Sequence, residues 1–239
     1  MTTSTDSLIL SMTTFVTDYM SGHDPSHNPA HIHRVVQLAQ TILEAERALS
    51  PSAAYDSTVV TLAALLHDIG DRKYLPLPPA SNADINGANP SPNLNPQTMV
   101  EQALISAGAD ASLAARVQTI VSNVSYTHEK KNPEQVRRLI DEEGYKELAI
   151  VQDADRLDAL GAVGIGRCFT FLGAQGKKHV APGGEWVMDG AIEHFVEKLE
   201  KLEGMMKTET GKKMARVRTE RLRIFRTWWE EETGFKVEE

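Results

Sequence analysis

The segment Thr61-Leu62-Ala63-Ala64-Leu65-Leu66 runs straight into His67-Asp68 with no polar transition, and this junction constrains the fold more than any other stretch. Alanine and leucine are strong helix formers. A helix that is apolar on almost every side belongs in a protein interior. An imidazole and a carboxylate at the buried end of such a helix cost free energy unless something pairs them. A divalent cation is one such partner, because His and Asp are ordinary ligands for borderline and hard metals. Gly70, just beyond the pair, reads as the helix stop. A His-Asp dipeptide alone is weak, since the two side chains can satisfy each other. A metal site needs further ligands on helices of the same character.

Two other stretches supply them. The polar loop Ser21-Gly22-His23-Asp24-Pro25-Ser26-His27 leads into Asn28-Pro29, a helix cap followed by proline at the first helical position. In the helix that follows, His31, Val35, Leu38 and Ile42 share one face, so His31 heads an inward stripe while His33 points to solvent. Further on, the apolar run Leu148-Ala149-Ile150-Val151 carries three aspartates, Asp153, Asp155 and Asp158, before apolar residues return. Asp155 and Asp158 are three apart and share a helical face, with Asp153 on the other side. Asp158 reads equally well as a salt-bridge or cap partner. Two imidazoles and two carboxylates suit Mn²⁺, Fe²⁺ or Zn²⁺, and Mg²⁺ less well.

The remaining chain reads as helices joined by polar turns. Amphipathic segments fall at Leu8 to Met20, Thr98 to Ala107, Ser112 to Val124, Pro133 to Glu142, Ala162 to Leu172, Ala191 to Glu203 and Thr208 to Thr233. Ser125 to Lys131 reads as a polar connection, and Gly173 to His179, with Lys177 and Lys178, as a glycine-spaced basic loop suited to an anion. Pro76 to Pro96 is dense in Pro, Asn, Ser and Gly without apolar periodicity, a long loop insertion. No alternating strand pattern occurs. The expected fold is all-α: a disordered stretch over 1–6 and a single helical-bundle domain over 7–235, with the helices of 191–235 packed on the bundle.

Composition narrows the function. A net charge of -8 argues against a polymeric nucleic-acid binder, which needs a basic face. It leaves room for a small anionic substrate met by a metal and a few cations. The single cysteine, Cys168, excludes an intrachain disulfide and a cysteine-based zinc cluster. With no signal-like start and no apolar run of membrane length, a cytoplasmic or nuclear location without a membrane is expected. The Trp-rich last helix suits either internal packing or a homodimer interface.

Taken in order, His31-Ile32-His33-Arg34-Val35, Leu62 to Asp71 with Lys73, and Val151 to Ala159 resemble the HD-domain superfamily of metal-dependent phosphohydrolases, whose ligand order is H…HD…D. Asp24-Pro25-Ser26-His27, His194-Phe195 with Lys198-Leu199, and Met206 to Gly211 are similar to a bacterial and fungal subgroup of it. The resemblance implies metal ligands at His31, His67 and Asp68. The Ala-Asp-Arg-Leu context selects Asp155 as the distal ligand over Asp153 and Asp158. It implies hydrolysis of nucleoside triphosphates to monophosphate and pyrophosphate by a metal-activated water. Mn²⁺ comes first among the metals, with Mg²⁺, Fe²⁺, Ni²⁺ or Zn²⁺ as alternatives. Asp68, Asp71 and Lys73 are the candidate catalytic residues, with Asp71 orienting Lys73 or the bound water. His27, Arg34, Lys177 and Lys178 are candidate substrate contacts. The alternatives are an HD phosphatase or phosphodiesterase on another phosphate ester, and a non-catalytic nucleotide-binding regulator.

Overall fold

Helix α2 (Pro29–Leu49) starts where the sequence dictates, because the Asn28 side chain accepts hydrogen bonds from the backbone N–H groups of Ala30 and His31. That cap fixes the helix phase and turns His31, Val35, Ala39 and Ile42 inward. Helix α3 (Ser57–Leu66) is capped in the same way by Asp56 and is buried from Val59 through Leu66 except at Thr61. The third central helix, here α8 (Lys146–Asp158), is buried from Glu147 to Asp158 except at Asp155. These three pack on one another and form the floor of the molecule's core.

The computed structural model describes residues 4–69, 95–180 and 183–237. The remaining helices are α1 (Thr5–Met20), α4 (Met99–Ser106), α5 (Ala111–Ser122), α6 (Tyr126–Lys131), α7 (Pro133–Asp141), α9 (Gly161–Gln175), α10 (Asp189–Glu197) and α11 (Glu209–Thr233). Among the described residues there is no strand, and the fold is all-α. Helix α1 lies against α3, and α11 packs along α9, α8 and α2. The turn from α8 into α9 is tight. Gly161 has a φ of 70°, and a Cβ on Gly164 would lie 2.2 Å from the Ala159 carbonyl oxygen, so only glycine allows this close approach.

Several boundaries differ from the sequence reading. Helix α1 begins at Thr5 rather than after residue 6, because the Ser4 hydroxyl caps it. Ser125 to Lys131 is not a simple connection: Tyr126–Lys131 forms a short helix, too brief and too polar to leave a periodic signal. The amphipathic stretch from Ala191 breaks at Lys198 and continues as a 3₁₀ segment, Leu199–Met205. Leu199 and Leu202 are three apart, and the tighter winding stacks both toward the core. Within α11, Phe225 and Trp229 pack with Phe169 and Phe195, whereas Trp228 is exposed. Gly70 and the long loop of 76–96, apart from its last two residues, lie outside the described residues.

Candidate functional site

Four side chains from three helices converge at one end of the core. His31 comes from the first turn of α2, His67 caps the end of α3, Asp68 follows it, and Asp155 is the one residue of its stretch of α8 open to solvent. The His31 and His67 Nε2 atoms lie 3.2 Å apart. Asp68 Oδ2 is 3.4 Å from His31 Nε2 and 3.5 Å from His67 Nε2, and Asp155 Oδ1 is 3.8 Å and 3.6 Å from the same two atoms. Donors held about 2.1 Å from a common cation are separated by about 3.0 Å at right angles and about 3.4 Å tetrahedrally. The spacing therefore fits a divalent ion.

The hydrogen bonds behind the imidazoles point the same way. His67 Nδ1 donates to the Ala64 carbonyl at 2.8 Å, and His31 Nδ1 donates to Asp158 Oδ2 at 2.8 Å. Both rings thus turn an Nε2 lone pair toward the other and toward two carboxylates, an arrangement that only a cation or a proton relieves. Asp68 Oδ2 is buried and has no hydrogen-bond partner of its own. Burial opposes a charged imidazole at His67, but Asp68 and Asp155 outweigh it and pull His67 up to about 9. Burial likewise opposes charge on Asp68 and Asp155, yet the imidazoles hold both carboxyls well below the usual range. The donor set is built to hold positive charge. His31, His67 and Asp155 alone form a group able to hold a metal ion, with Asp68 Oδ2 beside it.

The three aspartates of α8 have separate tasks. Asp155 faces the cluster. Asp153, on the opposite side, is fully buried and accepts from the backbone N–H groups of Lys207 and Thr208 and from the Thr208 hydroxyl, which anchors the start of α11. Asp158 sits behind His31 and gathers two guanidiniums. Arg34 binds it through Nε at 2.7 Å and Nη2 at 3.0 Å, and Arg167 Nη1 approaches Oδ2 at 3.0 Å. Burial raises the Asp158 carboxyl, but His31, Arg34 and Arg167 bring it down to about 2. Arg167 also donates its Nε–H to the Ser26 carbonyl at 2.7 Å, tying α9 to the loop before α2. The salt-bridge reading of Asp158 holds, though its partners Arg34 and Arg167 come from other helices, and Arg167 left no signal in the sequence.

The cluster opens into a cavity of about 1220 Å³ walled by the loop before α2, the start of α6, and helices α9 and α10. His27 lines it, 2.7 Å from the Ser26 hydroxyl through Nδ1, and burial with the nearby Arg167 pushes its imidazole down to about 4. It is neutral at neutral pH and offers hydrogen bonding rather than charge. Lys178 lines the cavity and donates to Gln175. Lys177 is exposed and off the wall, and Arg34 is turned to Asp158 behind the cluster. Asp71 and Lys73 lie outside the described residues.

A family model for the HD domain matches residues 30–160, a span that includes His31, His67, Asp68, Asp155 and Asp158. The chain is 36% identical over 203 residues to the uncharacterized protein YpgQ of Bacillus subtilis, covering 85% of this chain and 80% of that one. The crystal structure of B. subtilis YpgQ in complex with ADP superposes with a TM-score of 0.65 at 30% identity, covering 95% of this chain and 96% of the other. An HD-superfamily hydrolase from Bacillus thuringiensis superposes with a TM-score of 0.64 at 27% identity, covering 98% and 100% of the two chains.

Proposed function

This chain belongs to the HD domain family of metal-dependent phosphohydrolases, and we propose that its reaction is cleavage of a nucleoside triphosphate between the α and β phosphorus atoms, giving a monophosphate and pyrophosphate. The observation that carries this is a two-His, two-Asp cluster set at one end of a cavity large enough for a nucleotide. Ligand pockets typically enclose about 300–1,000 Å³. That the B. subtilis relative was crystallised with ADP supports a nucleotide as occupant.

His31, His67, Asp68 and Asp155 would hold the divalent ion, with Mn²⁺ the first choice. When bound, such an ion supplies a water of lowered pKa and neutralises charge on a phosphoryl oxygen. The chain's own contribution is positioning and electrostatics, which carry most of phosphoryl transfer. Asp158 and the Ala64 carbonyl hold the two imidazoles in one tautomer and orientation. Asp68 and Asp155 balance the ion's two charges. Lys178 on the cavity wall would bring a cation to the phosphates, a task the resemblance also implies for Lys73 with Asp71 as its acid partner. Pyrophosphate is a good leaving group, so no strong general acid is required.

The test is a Mn²⁺-supplemented assay over a panel of NTPs and dNTPs, with phosphate and pyrophosphate detected separately. Pyrophosphate with a monophosphate product is the expected result. Phosphate alone would replace the proposal with a phosphatase reading. No turnover by protein shown to hold metal would remove nucleotides as substrates.

A further inference from the structure

A charge count around the metal cluster leaves something over. A divalent ion with Asp68 and Asp155 sums to zero, and the two ligand imidazoles turn their Nδ1 atoms away to Asp158 and the Ala64 carbonyl. Behind them, Asp158 is shared by Arg34 and Arg167, so two guanidiniums meet one carboxylate and one positive charge remains.

The two arginines are not equivalent. Arg34 spends its fork on Asp158, with Nε on Oδ1 and Nη2 on Oδ2, and does not line the cavity. Arg167 lines the cavity and is mostly buried. Its Nε–H donates to the Ser26 carbonyl, and its Nη1 pairs with Asp158 Oδ2 at 3.0 Å as an ion pair. A guanidinium carries five N–H donors, so the rest of its fork has no partner among the described residues. Two anchors from different elements fix its plane, and a pre-set guanidinium recognises phosphate oxygens well. The Asp24 carboxylate on the same loop is engaged by the Ser26 N–H and hydroxyl and by Gln175, and does not reach Arg167 in any hydrogen bond.

We propose that Arg167 is the residue that grips the pyrophosphate end of the substrate, with Asp158 holding it in place. This rests on the phosphohydrolase reading above and adds a residue lying outside the 30–160 span of the family match.

The test separates metal from phosphate. Binding of Mn²⁺ to metal-stripped protein, and of inorganic pyrophosphate and ADP to metal-loaded protein, is measured by calorimetry for wild type, Arg167→Gln and Arg167→Lys. Arg167→Gln should weaken pyrophosphate and ADP about 10- to 100-fold, the loss of one or two charge-assisted hydrogen bonds, while Mn²⁺ affinity stays within about threefold. Arg167→Lys, which keeps the charge, should fall between Arg167→Gln and wild type. Unchanged pyrophosphate affinity in folded Arg167→Gln overturns the assignment. So does a fall in Mn²⁺ affinity matching the fall in pyrophosphate, which would make Arg167 a prop for His31. Should Arg167→Gln not fold, the wild-type ¹⁵N side-chain resonance that is missing from Arg167→Lys decides: it must move when pyrophosphate and Mg²⁺ are added, and a stationary signal refutes contact. Wild type that binds pyrophosphate but no nucleotide sinks the nucleotide reading and leaves Arg167 to be judged on pyrophosphate. Wild type that binds neither sinks both.

Discussion

Replacing Asp158 by Asn tests whether the site depends on what stands behind its ligands. Asp158 touches no part of the cavity, is 1% exposed, and orients His31 from 2.8 Å. Asparagine keeps the size but loses the charge, and it puts an amide nitrogen where one carboxylate oxygen was. His31 then loses basicity and its fixed tautomer, which for an outer partner of a metal-binding histidine costs about 10- to 100-fold in metal affinity, or about 1.4–2.7 kcal/mol. The fold suffers separately. Two guanidiniums lose their shared counter-charge, but Arg34 is 32% exposed and regains water, while Arg167 at 12% regains little. Breaking a buried pair costs about 3–5 kcal/mol, so about 3 kcal/mol of stability is the expected loss. Calorimetric Mn²⁺ titration of metal-stripped protein at pH 7.5, with urea unfolding in parallel, reads both quantities. Folded Asp158→Asn whose Mn²⁺ affinity stays within twofold of wild type would refute the reasoning.

Asp68→Ala removes a carboxylate whose buried Oδ2 has no hydrogen-bond partner and should abolish both bound metal and hydrolysis; unchanged metal content by elemental analysis would discard the site. In Gly211→Ala the added Cβ would lie 2.3 Å from Asp153 Oδ2 and 2.8 Å from Thr208 Oγ1, prising apart the anchor of α11. A loss of about 2–4 kcal/mol in urea unfolding is expected, and a neutral result would mean that the anchor yields without cost. Burial pushes the Glu129 carboxyl up, but Arg156 and Lys207 prevail and hold it below its ordinary value. A depressed folded-state pKa means stabilisation that is complete above the unfolded value of about 4.3 and fades as pH falls through the folded one. Melting curves from pH 7 to 3 should therefore fall less steeply for Glu129→Gln than for wild type, and parallel curves would exclude this linkage. The Cys168 thiol, pushed by burial up to about 11, should react with iodoacetamide at pH 8 far more slowly than a small-molecule thiol; equal rates would contradict its environment.

Local chemistry made the ligand positions legible and hid what supports them. The Asn28–Pro29 cap sets the phase of α2, so the inward aim of His31 follows from four adjacent residues. The apolar run before His67 announces its burial in the same way. Choosing among Asp153, Asp155 and Asp158 was harder, because helical phase separates Asp153 but leaves the other two on one face. What divides them in the structure is a hydrogen bond from His31, 127 positions away, whereas in the sequence the Ala-Asp-Arg-Leu context of the resemblance was what told them apart. Arg167 is similarly tied to Ser26 across 141 positions. Short or tightly wound elements such as Tyr126–Lys131 and Leu199–Met205 escaped because six or seven residues cannot display a 3.6-residue period.

Helix α8 presents Asp155 and Asp158 to one side and Asp153 to the other, where Asp153 receives the start of α11. The site is therefore not a portable module. A fragment cut to 30–160 would carry every proposed ligand yet leave the Asp153 carboxylate stranded and remove Arg167 from behind His31. Anyone transplanting this chemistry to a smaller scaffold must bring the last third of the chain with it, or redesign one face of α8 before the other can work.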